Sequence, residues 1–330
     1  MVENLSISNF KSVADLQFKA KRINLFLGEP NSGKSNILEA LSVFSAIHTS
    51  GLQNVIRLKR IIDLFTDNNI YEPVTFVADS YVATISYDKL GSVLVLSVDG
   101  KEYTLLLEPS GKFKPYLKSN IDTIDEFETE QPFIFKPYVF RVINSFKNRE
   151  ETFLYPPYGD NLPEVLRTNP NVRESAAAVF KSRGYKLNLN LERSEINMLK
   201  EVDDVVYTYP YKSISDTLQR ITFYLAAVDS NRDSVLIFEE PEANTFPYYT
   251  KFMAERIALD QNNNQYFIAT HNPYLLLSIV EKTKIEDLAV NIVYLKNHQT
   301  KIKQLSDEEF SMLLDLESDV FFNLDKFFEE

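Results

Sequence analysis

The residues Gly28-Glu29-Pro30-Asn31-Ser32-Gly33-Lys34-Ser35 satisfy the spacing G-x-x-x-x-G-K-[ST], the pattern of a loop whose backbone N–H groups close around phosphate oxygens. Gly28 and Gly33 let the backbone approach the phosphates, and a following helix adds the positive end of its dipole. Lys34 reaches the β- and γ-phosphates, and Ser35 is placed to coordinate Mg²⁺. Asn31 stands where many such loops carry a further glycine, and asparagine is the residue next most tolerant of a left-handed backbone.

Far downstream, Val235-Leu236-Ile237-Phe238-Glu239-Glu240 is an apolar run ending in two carboxylates, the form of a Walker B motif. Side chains alternate along a strand, so two acids at its end can take separate tasks: Glu239 toward Ser35 and Mg²⁺, Glu240 toward an attacking water. Ala269-Thr270-His271-Asn272 follows the next apolar run. In a parallel sheet both runs end at the edge where ligands bind, which puts His271 within reach of a terminal phosphate. His48 and His298 have no comparable placement.

The elements that must position these groups are legible in the hydrophobic pattern. Residues 5–10 alternate apolar and polar, and the apolar run 23–27 leads straight into Gly28, so strand, loop and helix are expected in that order. Ile37, Leu38, Leu41, Phe44 and Ile47 recur at helical spacing, with Gly51 as the expected stop. Residues 74–87 are β-rich, and 92–98 and 101–107 flank Asp99-Gly100, a tight hairpin turn. Between residues 133 and 211, Pro137, Pro156, Pro157, Pro163, Pro170 and Pro210 exclude a long uninterrupted helix. Tyr185, Leu187, Leu189 and Leu191 alternate there as in a half-buried strand. Further on, the helical pattern Leu218, Ile221, Leu225, Val228 precedes the run 235–238, and a helix through Phe252 and Ile257 precedes the run 266–269, the texture of a parallel sheet buried on both faces. Ser306 and Glu309 have the spacing of a capping box.

Composition narrows the chemistry. Of 330 residues 44% are hydrophobic and 25% charged, the mix of a folding chain. Without cysteine there is no disulfide, thiolate nucleophile or Cys-ligated metal, and the three histidines lack metal-ligand spacing. The net charge of −12 disfavours coating of nucleic acid. Lys19, Lys21 and Arg22, or Lys112, Lys114 and Lys118, are the basic clusters that could form a patch, although solvated loop charge is the reading composition favours. No apolar run approaches the length of a membrane span, and the first residues lack a signal pattern, so a cytoplasmic protein is expected.

In this order the elements resemble the ABC-type ATPase heads of the SMC, RecF and OLD-like group. The resemblance is carried by Asn9-Phe10-Lys11-Ser12, by the loop 28–35 followed by Asn36-Ile37-Leu38-Glu39-Ala40-Leu41, by Glu239-Glu240-Pro241-Glu242, and by Ala269-Thr270-His271-Asn272-Pro273-Tyr274. It implies a protein that binds and hydrolyses ATP, closes as a homodimer around ATP and Mg²⁺, and switches a protein partner in DNA repair or defence. A nucleotide-gated binding module with little turnover is the alternative. Implied nucleotide contacts are Lys11, Gly28, Asn31, Ser32, Gly33, Lys34, Ser35 and Asn36; Ser35 and Glu239 hold the metal, and Glu240 and His271 are catalytic. Ser215-Asp216-Thr217-Leu218-Gln219-Arg220 stands as the signature segment, with Ser215 and Thr217 facing ATP held by a second subunit and Thr217 in place of the family's glycine. No Gln-loop residue is assigned.

The implied fold is an α/β P-loop NTPase of ABC-ATPase type, with a mixed or parallel core sheet, an antiparallel β lobe and a compact α/β insertion. Residues 1–330 are expected to form one such domain, comprising an N-terminal lobe (1–132), the insertion (133–212) and a C-terminal lobe (213–330). The prolines exclude a coiled-coil arm, and too few residues follow His271 for the nuclease domain of OLD proteins.

Overall fold

Two textures alternate along the chain, one antiparallel β and one α/β, and the described residues form three sheets. The computed structural model describes residues 1–49, 52–88, 93–107, 113–117, 133–147, 149–190 and 192–328. Strands β1 (Asn4–Phe10) and β2 (Val13–Lys19) pair as an antiparallel hairpin, and β3 (Ile23–Leu27) runs into the phosphate-type loop and helix α1 (Lys34–Ser42). Strands β4 (Val74–Ala78), β5 (Tyr81–Asp88), β6 (Val93–Val98), β7 (Lys101–Leu107) and β8 (Phe113–Leu117) complete an antiparallel sheet of order β2-β1-β4-β5-β6-β7-β8. The β6–β7 turn uses Asp99 and Gly100 at φ 48° and 79°, the left-handed pair that a two-residue hairpin turn requires.

The C-terminal texture gives β9 (Phe135–Tyr138), α2 (Leu162–Thr168), α3 (Pro170–Lys181) and the meander β10 (Lys186–Asn190), β11 (Glu195–Val202) and β12 (Val205–Pro210). Then come α4 (Asp216–Ser230), β13 (Val235–Glu239), α5 (Pro247–Ala258), β14 (Gln265–Ala269), α6 (Pro273–Lys282), β15 (Leu288–Lys296), β16 (Gln299–Gln304) and α7 (Asp307–Asp315). The core sheet has the order β16-β15-β3-β14-β13-β9, parallel except for β16 on β15.

The near-continuous apolar strands follow from burial on both faces. Phe26, Val235, Ile237 and Phe267 enter a core shared with α1 and the antiparallel sheet. Leu25, Leu27, Leu236, Phe238, Tyr266 and Ile268 enter a second core with α4, α5 and α6. Fixing β13 and β14 in register, with Glu239 opposite Ala269, brings both functional strand ends to one edge.

Two local features depart from the sequence pattern. Helix α1 ends at Ser42 and tightens into a 3₁₀ turn, Val43–Ser45. There the Ser42 and Ser45 hydroxyls donate to the carbonyls of Leu38 (2.8 Å) and Ser42 (2.7 Å), competing with a continued helix; Phe44 and Ile47 remain buried. Gly51, the expected stop, lies outside the described residues, as does Leu191. The stretch 133–212 also contributes β9 to the core sheet; four residues, Phe-Lys-Pro-Tyr, are too short to show a period, and Pro137 is tolerated because β9 is an edge strand. The capping box forms as spaced: the Glu309 N–H donates to the Ser306 hydroxyl at 3.3 Å, and the Ser306 N–H donates to the Glu309 carboxylate at 3.0 Å.

Candidate functional site

The loop between β3 and α1 is shaped by contacts that only glycine permits. A Cβ at Gly28 would lie 2.2 Å from the Val293 carbonyl oxygen, and one at Gly33 would lie 1.9 Å from the Thr300 hydroxyl. Gly33 is also left-handed at φ 103°, and Asn31 adopts φ 63°, as its residue type allows. Thr300 braces the loop from β16: its hydroxyl donates to the Ser32 carbonyl at 3.1 Å, and Ser12 bonds it at 2.6 Å while accepting from the Asn36 amide at 2.7 Å. Gly33→Ala is therefore expected to combine backbone strain with a steric clash and to destabilise the fold by about 1–3 kcal/mol. Gly100→Ala is the control, because Gly100 shares the positive φ (79°) but a Cβ there meets nothing within 4 Å. Denaturant midpoints of the two variants check this; an equal loss in both would show that the Thr300 contact is immaterial.

Lys34 is buried, and its ammonium donates to the carbonyls of Gly28 and Glu29, both at 2.8 Å. Burial pulls its pKa down to about 8, against the raising effect of Glu240, Glu239 and Glu29. A polyphosphate in the loop would supply countercharge that further favours the protonated form.

At the opposite wall the Ser35 hydroxyl donates to the Glu239 carboxylate. Strand alternation does not separate the two acids as expected. Glu240 leaves the strand at φ 44°, its N–H donating to the Ala269 carbonyl at 2.9 Å, and both carboxylates line the same cleft. The Glu240 Oε1 lies 3.4 Å from His271 Nε2. Burial, then Lys34, lower the His271 pKa while Glu240 opposes them. The cleft, about 780 Å³, is lined by Ser12, residues 30–36, Arg57, Glu239, Glu240, Ala269 and His271.

Other expected contacts lie elsewhere. Lys11 pairs with Glu39 and donates to the Arg57 carbonyl at 2.9 Å; it lines a neighbouring cleft of about 810 Å³ together with Gln53 and Arg57. Ser215 is the N-cap of α4 and accepts from the Leu218 N–H at 3.4 Å, while Thr217 donates to the Asn244 carbonyl at 3.0 Å. Neither lines the cleft of its own chain. His48 stacks on Phe133 at 4.2 Å, with a pKa driven down to about 4 by burial and by Lys136, and His298 lies in the β15–β16 turn. In the first basic cluster Lys21 donates to the Ile285 carbonyl, and Arg22 donates to the Ala258 carbonyl and pairs with Asp287. Lys112 and Lys118 are outside the described residues.

Sequence reasoning missed Arg57 and Thr300. Arg57 reaches Glu39 at 2.7 Å and Glu239 at 3.2 Å, giving the cleft a second cation beside Lys34. It sits in an irregular segment with no periodic or motif signal.

These features define an α/β P-loop NTPase fold of the ABC type, with Walker A-like and Walker B-like elements facing each other. No family model matches the chain, and no curated protein matches it. Among solved structures it is similar to an Smc head bound to the C-winged helix domain of ScpA, with a TM-score of 0.55 and 15% identity over 94% of this chain and 99% of that one. It is also similar to the Pyrococcus furiosus Smc head domain with an extended coiled coil bound to the C-terminal domain of ScpA, with a TM-score of 0.54 and 13% identity over 95% and 98% of the two chains. The chain thus has the fold of an Smc head domain.

Proposed function

We propose that the chain binds ATP with Mg²⁺ in the cleft above Lys34, hydrolyses it, and closes as a homodimer in doing so. The observation that carries this is the Ser35–Glu239 hydrogen bond, which joins the phosphate-type loop to the end of β13 with Glu240 and His271 opening on the same cleft. The hydroxyl and carboxylate are hard oxygen donors of the kind Mg²⁺ takes, and the ion, when bound, neutralises phosphate charge. Lys34 and the N–H groups of the loop hold the β- and γ-phosphates. Glu240 accepts the proton of the attacking water, and His271 donates a hydrogen bond toward the terminal phosphate.

Residues 1–330 act as one ABC-type unit, with 1–132 and 213–330 supplying the two walls and 133–212 inserted between them. Among the described residues no helix is long and apolar enough to cross a membrane, and the switch is assigned to the cytoplasm. Its output is a conformational change read by a protein partner, in DNA repair or defence, with no support from net charge for direct nucleic-acid coating. A nucleotide-gated clamp with little turnover is the second reading, favoured by Thr217, whose hydroxyl is already committed to Asn244.

Phosphate release from ATP·Mg²⁺, without any acceptor molecule, tests hydrolysis and separates it from phosphotransfer; the turnover number separates the enzyme from the clamp. Lys34→Ala is expected to weaken ATP binding by about 10- to 150-fold, the equivalent of one or more charge-assisted hydrogen bonds at about 1.5–3 kcal/mol. Unchanged affinity in calorimetry would overturn the assignment of the loop.

A further inference from the structure

We propose that Glu242 is a positioning residue that fixes His271 against Glu240 by gripping the loop after β14 from the turn after β13. The inference rests on the reading of the cleft as the hydrolytic site and adds to it a residue that touches neither substrate nor metal.

Glu242 is only 5% exposed. It lies in a turn that begins at Glu240 and is closed by the Ala243 N–H donating to the Glu240 carbonyl and the Thr245 N–H donating to the Glu242 carbonyl, both at 3.0 Å. The Thr245 hydroxyl also bonds the Glu242 carbonyl (2.6 Å) and the Thr250 hydroxyl (2.8 Å), pinning the turn to α5. The side chain points the other way. Its Oε1 accepts the hydroxyl of fully buried Thr270, and the backbone N–H of His271 acts on the same carboxylate. Thr270 Oγ1 accepts the Asn272 N–H at 3.0 Å, and Asn272 caps α6 by accepting from the Tyr274 and Leu275 N–H groups. The contacts of the Glu242 carboxyl thus fall on His271 and the residue before it, and pass through Thr270 to the residue after it.

A carboxyl is a costly choice for this place if only packing were needed. Its second oxygen, Oε2, is buried without a hydrogen-bond partner, and an apolar side chain of similar volume would avoid that penalty. Burial first, with Glu240 adding to it, pushes the Glu242 pKa up to about 7, against the Thr270 hydrogen bond and the nearby backbone N–H of His271. The acceptor oxygen toward Thr270 survives in the neutral acid, so the grip does not require the charged form. What the group provides is a fixed geometry between two segments that each carry one reactive side chain, Glu240 and His271, 3.4 Å apart. Misplacement of catalytic groups by about 1 Å can cost about 10²-fold in rate.

The test compares Glu242→Ala, Glu242→Gln, His271→Ala and the double variant Glu242→Ala/His271→Ala in the full chain. Phosphate release gives kcat and KM, and NMR titration follows the His271 imidazole without nucleotide. Glu242→Ala is expected to lower kcat by about 10²-fold with little change in KM, and to move the His271 titration back toward that of a free histidine. Glu242→Gln, whose amide oxygen still accepts from Thr270, recovers most of the rate and the native titration. In the His271→Ala background the loss of Glu242 adds little, because the two residues act as one unit. If Glu242→Ala does not fold, Thr270→Val removes the other half of the grip with nearly the same shape and is expected to shift both readouts in the same direction. A native kcat and a native His271 titration in the folded variants, or a full extra loss in the double variant, would overturn the proposal. A native chain that releases no phosphate would instead sink the hydrolytic reading, leaving the titration to decide the positioning role.

Discussion

Glu240→Gln is expected to bind ATP·Mg²⁺ as the native chain does and to release phosphate about 10²- to 10⁴-fold more slowly, the range that a positioned general base contributes. The substitution keeps the shape of the side chain and the left-handed backbone at φ 44° that turns it into the cleft; only basicity is lost. The amide can still meet His271, so the geometry that separates Glu240 from Glu239 is preserved. Glu239→Gln should fail differently. Glu239 accepts from Ser35 and faces Arg57 at 3.2 Å, so its loss is expected to raise the Mg²⁺ concentration needed for half-maximal rate. Single-turnover phosphate release, measured over a Mg²⁺ series, separates the two. If Glu240→Gln turned over at the native rate while Glu239→Gln abolished hydrolysis at saturating Mg²⁺, the roles would be exchanged.

What the sequence made legible was whatever is contiguous. The phosphate-type loop, the acid pair after an apolar run and the Thr-His pair after the next each lie within a few residues, and the parallel-sheet texture alone implied that they share an edge. The reasons behind individual positions were not contiguous. Gly33 is recognisable as part of a motif, but the atom that excludes any larger residue there belongs to Thr300, delivered by an antiparallel strand at the far edge of the core sheet. Arg57 reaches Glu239 across 182 positions from a segment without helical or strand period, so no spacing rule could have found it. Strand alternation is a sound rule inside β13, where successive residues face different cores. It fails one residue later, because the left-handed conformation of Glu240 is set by the turn beyond it. The Asn9-Phe10-Lys11-Ser12 segment splits in the same way: Ser12 lines the cleft, whereas Lys11 is held by Glu39 at its side.

Two chains that are each inactive, Lys34→Ala and Ser215→Arg, are expected to recover hydrolysis when mixed. Ser215 is exposed at the N-terminus of α4, a helix of 15 residues, and lies outside the cleft of its own chain. A helix N-terminus with free N–H groups is an anion site, and in a homodimer it can serve the phosphate held by the other copy. Thr217 ties this segment through Asn244 to the turn that begins at Glu240, so a second copy docked on it would bear on the turn that carries the acid pair. Exposed aromatic side chains stand at the starts of the two helices that follow, Phe246 (65%) and Tyr248 (68%) at α5 and Tyr274 (52%) at α6, residue types suited to anchoring an interface. Ser215→Arg removes the N-cap, costing about 1 kcal/mol, and sets a bulky cation in front of the helix. The chain should stay folded while the shared site is blocked. Groups supplied in trans can be worth about 10³- to 10⁵-fold in rate when they are full cations, and a helix N-terminus is expected to contribute less. In a mixed dimer the Ser215→Arg chain supplies an intact Lys34 and the Lys34→Ala chain an intact Ser215, so one of two sites is whole. Random pairing of equal amounts then gives about one quarter of the native rate. Specific activity of the native chain should likewise rise with concentration as dimers form. Normal hydrolysis by Ser215→Arg alone, or a mixture that forms dimers and stays inactive, would show that each chain completes its own site.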